Sequence, residues 1–182
     1  GVASQNQPGN FSLGINYDSA VAGEDEEGNL GGYAVQLRNT GAQKGFGWNV
    51  GGSVKRYDDL RGGSGVGEQV PSGYGEYGAD LSVRYTLASQ DELHFAVQHL
   101  EQSSVPKTSE VTLDGKVKFD YEPQIRTLGY LEYLANNLNF ADSARFTLSA
   151  NRQKEGEEVI ATLPIETVEV TEVSTWGADL QL

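Results

Sequence analysis

Apolar and polar residues alternate with a period of two along most of the chain, and this restricts the fold to strands more than any other feature does. Phe11, Leu13, Ile15 and Tyr17 alternate with Ser12, Gly14, Asn16 and Asp18. Tyr33, Val35 and Leu37 follow, then Phe46, Trp48, Val50 and Val54. The stretch Tyr77–Leu87 keeps the pattern over six turns of parity, and Leu93, Phe95 and Val97 continue it. Ala144, Phe146, Leu148 and Ala150, then Trp176, Ala178, Leu180 and Leu182, complete the set. Residues 125–135 also read as a strand, with the parity blurred by Leu128, Tyr130 and Glu132. Apolar residues at helical spacing occur only near 131–140, where a strand entering a turn at Asn136 and Asn137 is the better reading. The expectation is an all-β chain of about eight strands, antiparallel because many connections are too short for a crossover helix.

The connections alternate in length. Long ones at about 19–32, 58–75, 101–124 and 153–172 take turns with short ones at about 39–45, 88–92 and 136–143. In an up-and-down sheet every second connection leaves from the same end, so all the long loops gather at one end. The long set holds most of the acid, including Glu24, Asp25, Glu26 and Glu27 in one loop and Glu155, Glu157 and Glu158 in another. The segment 155–173 mixes acids with β-branched residues and reads as a strand extension beyond the main sheet.

Composition narrows the function classes. The chain has 182 residues and a net charge of −13, and clustered Lys and Arg are what nucleic-acid affinity needs, so no nucleic-acid partner is expected. Cys is 0, which removes disulfides, thiolate metal sites and a cysteine nucleophile. No run of 18 apolar residues offers a transmembrane helix. Met is also 0, even at position 1, so the chain reads as processed or as a piece of something longer, here a single β segment (1–182) with no second domain.

A half-apolar antiparallel strand set suits two environments: a soluble barrel or sandwich with its apolar face inward, or an outer-membrane barrel with that face toward lipid. Three features favour the membrane. The polar faces carry groups suited to a wet lumen, among them Asn16, Gln36, Arg38, Asn49, Lys55, Asp80, Arg84, Gln98, Arg145 and Asn151. The apolar face places Tyr17, Tyr33, Trp48, Tyr77 and Trp176 near strand ends, where amphipathic rings favour a membrane interface. Long loops alternating with short turns are the outer-membrane pattern.

Several segments then resemble the barrel of TonB-dependent outer-membrane receptors. The opening GVASQNQPGNFSLGINYDS is similar to the handover from that family's plug to its first strands. GFGWNVGGSVKRYDDLRGG, followed by YGEYGADLSVRYTLASQDELHFAVQHLEQSSVP, resembles its early barrel hairpins. VPKTSE (105–110), followed by YEPQIRTLGYLEY (121–133), resembles its VP-R/K-T loop and Pro-Gln-Arg strand entry. The resemblance spans nearly the whole chain but only part of such a receptor, whose barrels have about 22 strands. It implies a bacterial outer-membrane location and a lipid bilayer as partner. It also implies a plug domain acting through TonB, and uptake of a ferric siderophore, haem, cobalamin or glycan. The plug segment and a terminal aromatic are missing, which fits an internal fragment. Two other readings stand beside it: a complete eight-stranded outer-membrane barrel with a structural or adhesive role, and a soluble β-barrel binding a small apolar ligand.

Catalytic chemistry finds little footing, and no enzyme, cofactor or metal is expected. His94 and His99 differ in parity and point to opposite faces, wrong for a shared metal. GYGEYG (73–78) matches a dinucleotide-binding glycine pattern but opens a strand where that motif opens a helix. The acidic GEDEEGN (23–29) lacks EF-hand spacing and reads as a solvated loop. The Asn-Phe-Ser sequon at Asn10 matters only in a glycosylating pathway. For substrate contact the candidates are Tyr57, Asp58, Asp59, Arg61 and Tyr74, polar and aromatic groups beside glycines in a long loop.

Overall fold

A computed structural model describes residues 7–20, 30–61, 67–161 and 166–182. Eight long strands build one antiparallel sheet: β1 (Gln7–Ala20), β2 (Leu30–Gln43), β3 (Phe46–Tyr57), β6 (Tyr74–Thr86), β7 (Glu92–Ser103), β9 (Lys118–Asn136), β10 (Ser143–Ile160) and β11 (Glu166–Gln181). Their spatial order is their chain order, an up-and-down arrangement, with β1 and β11 as free edges, so the sheet is open. A two-residue strand β8 (Val105–Pro106) adds to β9, and β4 (Leu60–Arg61) pairs with β5 (Glu68–Gln69) as a separate ribbon inside a long loop. The one helix among the described residues is the single turn α1 (Thr108–Thr112). Among the described residues no helix is long and apolar enough to cross a membrane, which says nothing of strands.

The all-β reading therefore holds, and the stretch near 131–140 is strand to Asn136 followed by a turn. Local details depart from expectation. The connection expected over 39–45 shrinks to Lys44 and Gly45, both at positive φ (49° and 79°), the geometry of a two-residue hairpin turn whose twist matches the strands. The long connection expected over 101–124 contains β8, α1 and the first residues of β9. Most of 153–172 is strand, and β9, β10 and β11 run on together past the end of β7. The acidic cluster 23–29 lies outside the described residues.

Register fixes the faces. One row runs Leu37, Gly52, Ala79, His99, Thr127, Arg152, Ser174, and the row two residues nearer the short turns runs Val50, Leu81, Val97, Gly129, Ala150, Trp176. All the alternating apolar residues thus share one face. Among the described residues nothing covers that face: Leu81 is 36% exposed, Phe95 38%, Phe146 43% and Trp176 81%, and Val83 is only half-buried. These side chains do not converge on a dry centre. The buried apolar side chains among the described residues are Ala34 and Phe119, so the sheet is held by its backbone ladders and cross-strand pairs.

Candidate functional site

The opposite face is polar and internally bonded. Arg38, Gly51, Asp80 and Gln98 lie in one row, and the Arg38 guanidinium donates to both Asp80 carboxylate oxygens (3.1 and 2.9 Å) and to Asn49 Oδ1 (2.6 Å). This bidentate pair spans three strands because Gly51, between them, carries no side chain. Nearer the long loops, Lys55 Nζ reaches Glu76 Oε1 at 2.5 Å, and Gln102 donates to the other Glu76 oxygen at 2.8 Å, so the half of the sheet nearest these loops has a buried, fully paired carboxylate. At the other end, Ser82 Oγ sits 2.9 Å from His94 Nε2, and the Tyr130 ring stacks edge-on against the imidazole. His99 is on the apolar side, bonded to Thr127 Oγ1 at 2.8 Å, so the two histidines do face apart.

The long-loop end holds a clasp. Lys107 and Lys116 each lie 4.8 Å from the centroid of the buried Phe119 ring, and both bond the Glu110 carboxylate. Those two ammonium groups, Lys116 first, hold the Glu110 carboxyl at about 2 instead of the usual 4.5. Lys118 bridges Asp120 and Glu158, tying β9 to β10. At the short-turn end Asp91 accepts from Ser89, Tyr133 and the Asn136 amide, and these hydrogen bonds, Ser89's foremost, keep its carboxyl below the ordinary range.

Four of the five candidate contact residues line one open recess of about 690 Å³ at the long-loop end: Tyr57, Asp58, Asp59 and Tyr74. Register separates them, however. Tyr57 and Tyr74 face each other across β3 and β6 on the polar side, ring centroids 5.3 Å apart, with the Tyr57 ring over Gly32. Asp58 extends β3 by one residue, its amide bonded to the Gly31 carbonyl. Asp59 is occupied as a loop organiser, its Oδ1 accepting from the amides of Ser72 and Gly73 (2.5 and 2.7 Å). Arg61 ends β4 in the β4–β5 ribbon, and its side chain lies outside the described residues. The pattern missed the Arg38–Asn49–Asp80 and Lys55–Glu76–Gln102 networks. Arg38, Asn49, Lys55 and Asp80 stood among the polar-face residues, but their bonds needed register: Gly51 lies between Arg38 and Asp80, while Glu76 stands directly between Lys55 and Gln102.

GYGEYG does open strand β6. Among the described residues no three His, Asp or Glu side chains gather as a metal site. The fold and these networks define a class, an open up-and-down antiparallel sheet with one apolar and one ion-paired face. Set against protein-family models, curated proteins and solved structures, the chain matches none of them.

Proposed function

We propose that this chain is part of the wall of a bacterial outer-membrane barrel of the TonB-dependent receptor kind. Such a barrel takes up a scarce nutrient (a ferric siderophore, haem, cobalamin or glycan) around a plug. The observation that carries the membrane part is the exposed apolar face beside a polar face whose charges pair with one another. Apolar area of that extent on an isolated soluble sheet would drive association, whereas acyl chains accept it without loss. The receptor part rests on the sequence resemblance. In that setting the polar face would hydrogen-bond the plug, and Tyr57, Tyr74 and Asp58 at the rim would meet the substrate. The reading is one of binding and passage.

The boundary of the apolar face adds a geometric argument. Counting outward from the short turns, the first charged residue on that face is Arg56 on β3 and Glu101, level with Val54, on β7. On β10 it is Arg152, level with Gly52. The boundary slips two residues over each two strand steps, or one per step; β11 departs, with Glu172 level with Val54 again. One residue per strand, at about 3.3 Å rise and 4.8 Å spacing, is the slant of a membrane plane cutting strands tilted by about 35°.

Dilution of the unfolded chain into vesicles with brominated acyl chains tests the wall reading. Trp48 and Trp176, both on the apolar face, should be quenched as β structure forms. A folded, monodisperse chain in plain buffer would favour the soluble barrel instead. The internally satisfied ion pairs also suit a complete small barrel, in which β1 would close on β11. Because Cys is 0, engineered pairs such as Ser12→Cys with Asp179→Cys give a clean test: a disulfide across these edges would mean closure, its absence over several registers a larger wall.

A further inference from the structure

On the polar side of the recess two phenols meet. Tyr57 and Tyr74 stand directly opposite in register at the loop ends of β3 and β6, ring centroids 5.3 Å apart and planes inclined by 35°. Among the described residues no other two tyrosine rings make contact. The pair is held from both sides. One row nearer the short turns, Lys55 bonds Glu76 across the same two strands. On the loop side, Asp59 Oδ1 accepts from the Ser72 and Gly73 amides, and Ser72 Oγ accepts from the Leu60 amide at 2.6 Å, which pins the two ends of the loop together. Neither phenol hydroxyl bonds a described residue, and both rings are only half-buried in the open recess. The chain has 0 Cys and 0 Met, so no sulfur intercepts an oxidant first and no disulfide ties the loops.

We propose that Tyr57 and Tyr74 form a site of oxidative modification, coupling to a dityrosine that staples β3 to β6 beneath the loop carrying β4 and β5. The oxidant is a peroxide, acting through a haem peroxidase. Each phenol gives up one electron and its hydroxyl proton. The two phenoxyl radicals join by a carbon–carbon bond between positions ortho to the oxygens, and the ring hydrogen displaced on each side passes to its oxygen, restoring both phenols. One hydrogen peroxide takes up the two electrons and two protons and leaves as two waters. The sheet contributes positioning: rings already in contact need no search for each other before the radicals are quenched. Tyr77, three residues along β6, points to the opposite face and does not replace Tyr74. The inference needs the sheet and not its surroundings, so it stands apart from the wall reading.

The test treats the folded full chain, in detergent micelles or in plain buffer wherever the sheet forms, with a haem peroxidase and hydrogen peroxide. Denaturation, trypsin and mass spectrometry follow. Trypsin cuts after Arg56, Arg61 and Arg84, so Tyr57 leaves on residues 57–61 and Tyr74 on residues 62–84. The two peptides should appear joined, two hydrogens lighter than their sum, as the main tyrosine–tyrosine product. Tyr57→Phe and Tyr74→Phe, which keep the rings, should each abolish the joined species, and Tyr77→Phe should leave it unchanged. The chain oxidised in urea should give roughly tenfold less of it, the loss of positioning. Equal yields folded and unfolded, persistence in Tyr74→Phe, or loss in Tyr77→Phe would each overturn the site. So would a folded chain whose two peptides stay separate while free tyrosine couples in the same mixture.

Discussion

Gly51 shows how much a missing side chain can decide. A Cβ there would lie 2.6 Å from Asp80 Oδ1 and 2.9 Å from Arg38 Nη2, so the pair that bridges β2 and β6 exists because β3 offers no obstacle. Gly41 plays the same part on the apolar face, where the Trp48 ring lies over it and its indole N–H donates to Asn39 at 2.7 Å. Gly51→Val should therefore break the Arg38–Asp80 contact and lower stability by about 1–3 kcal/mol, read from urea unfolding of the lipid- or detergent-folded chain. Glu110 gives a second residue-scale expectation. Its folded carboxyl titrates near 2, below its unfolded value of 4.5, so its contribution is complete above 4.5 and is lost as pH falls from there toward 2. Amide exchange in α1 and at Lys116 should quicken over that window in the wild type, and should already be fast at neutral pH in Glu110→Gln.

At the scale of elements, register is what converts alternation into two chemically distinct faces, since a slip of one residue exchanges them. Leu81 faces outward with Val50 and Val97, and Ser82 faces the other way, beside His94. Leu81→Arg should cost about 2–4 kcal/mol of folding into a bilayer, while Ser82→Arg should be mild. Equal penalties in folding titrations would refute the assignment of faces. The hairpins were legible as short connections, though the one expected over 39–45 tightens to Lys44-Gly45, whose two residues at φ > 0 fix the register of β2 on β3. Where strands continue through charged sequence, the connection expected at 153–172 gives way to the strand extension that residues 155–173 suggested. Glu155–Ile160 and Glu166–Glu172 stay paired because each carbonyl and amide finds its ladder partner, a backbone reward that side-chain polarity does not report. The single turn of α1 was equally hidden, because its stabilising contacts, Lys107 and Lys116 on Phe119, come from outside its own five residues.

For the whole molecule, the slanted edge of the apolar face carries an expectation of its own. Polarised infrared spectra of the chain in oriented bilayers should give strands tilted by about 35–45° from the membrane normal, and strands lying flat in the membrane plane would contradict the wall reading. The alternation determined by itself that the chain is all-β, how many long strands it has, and which residues share a face, because side-chain direction in a strand follows from local geometry alone. The resemblance supplied the receptor expectation. Only the tertiary structure decided that four of the five candidate residues part into a ring pair, a loop organiser and an exposed acid, with Arg61 in the short β4. The same holds for the Arg38–Asp80 bridge across Gly51. Those arrangements depend on which residues of distant strands stand level, and that is set by pairing between segments the sequence leaves far apart.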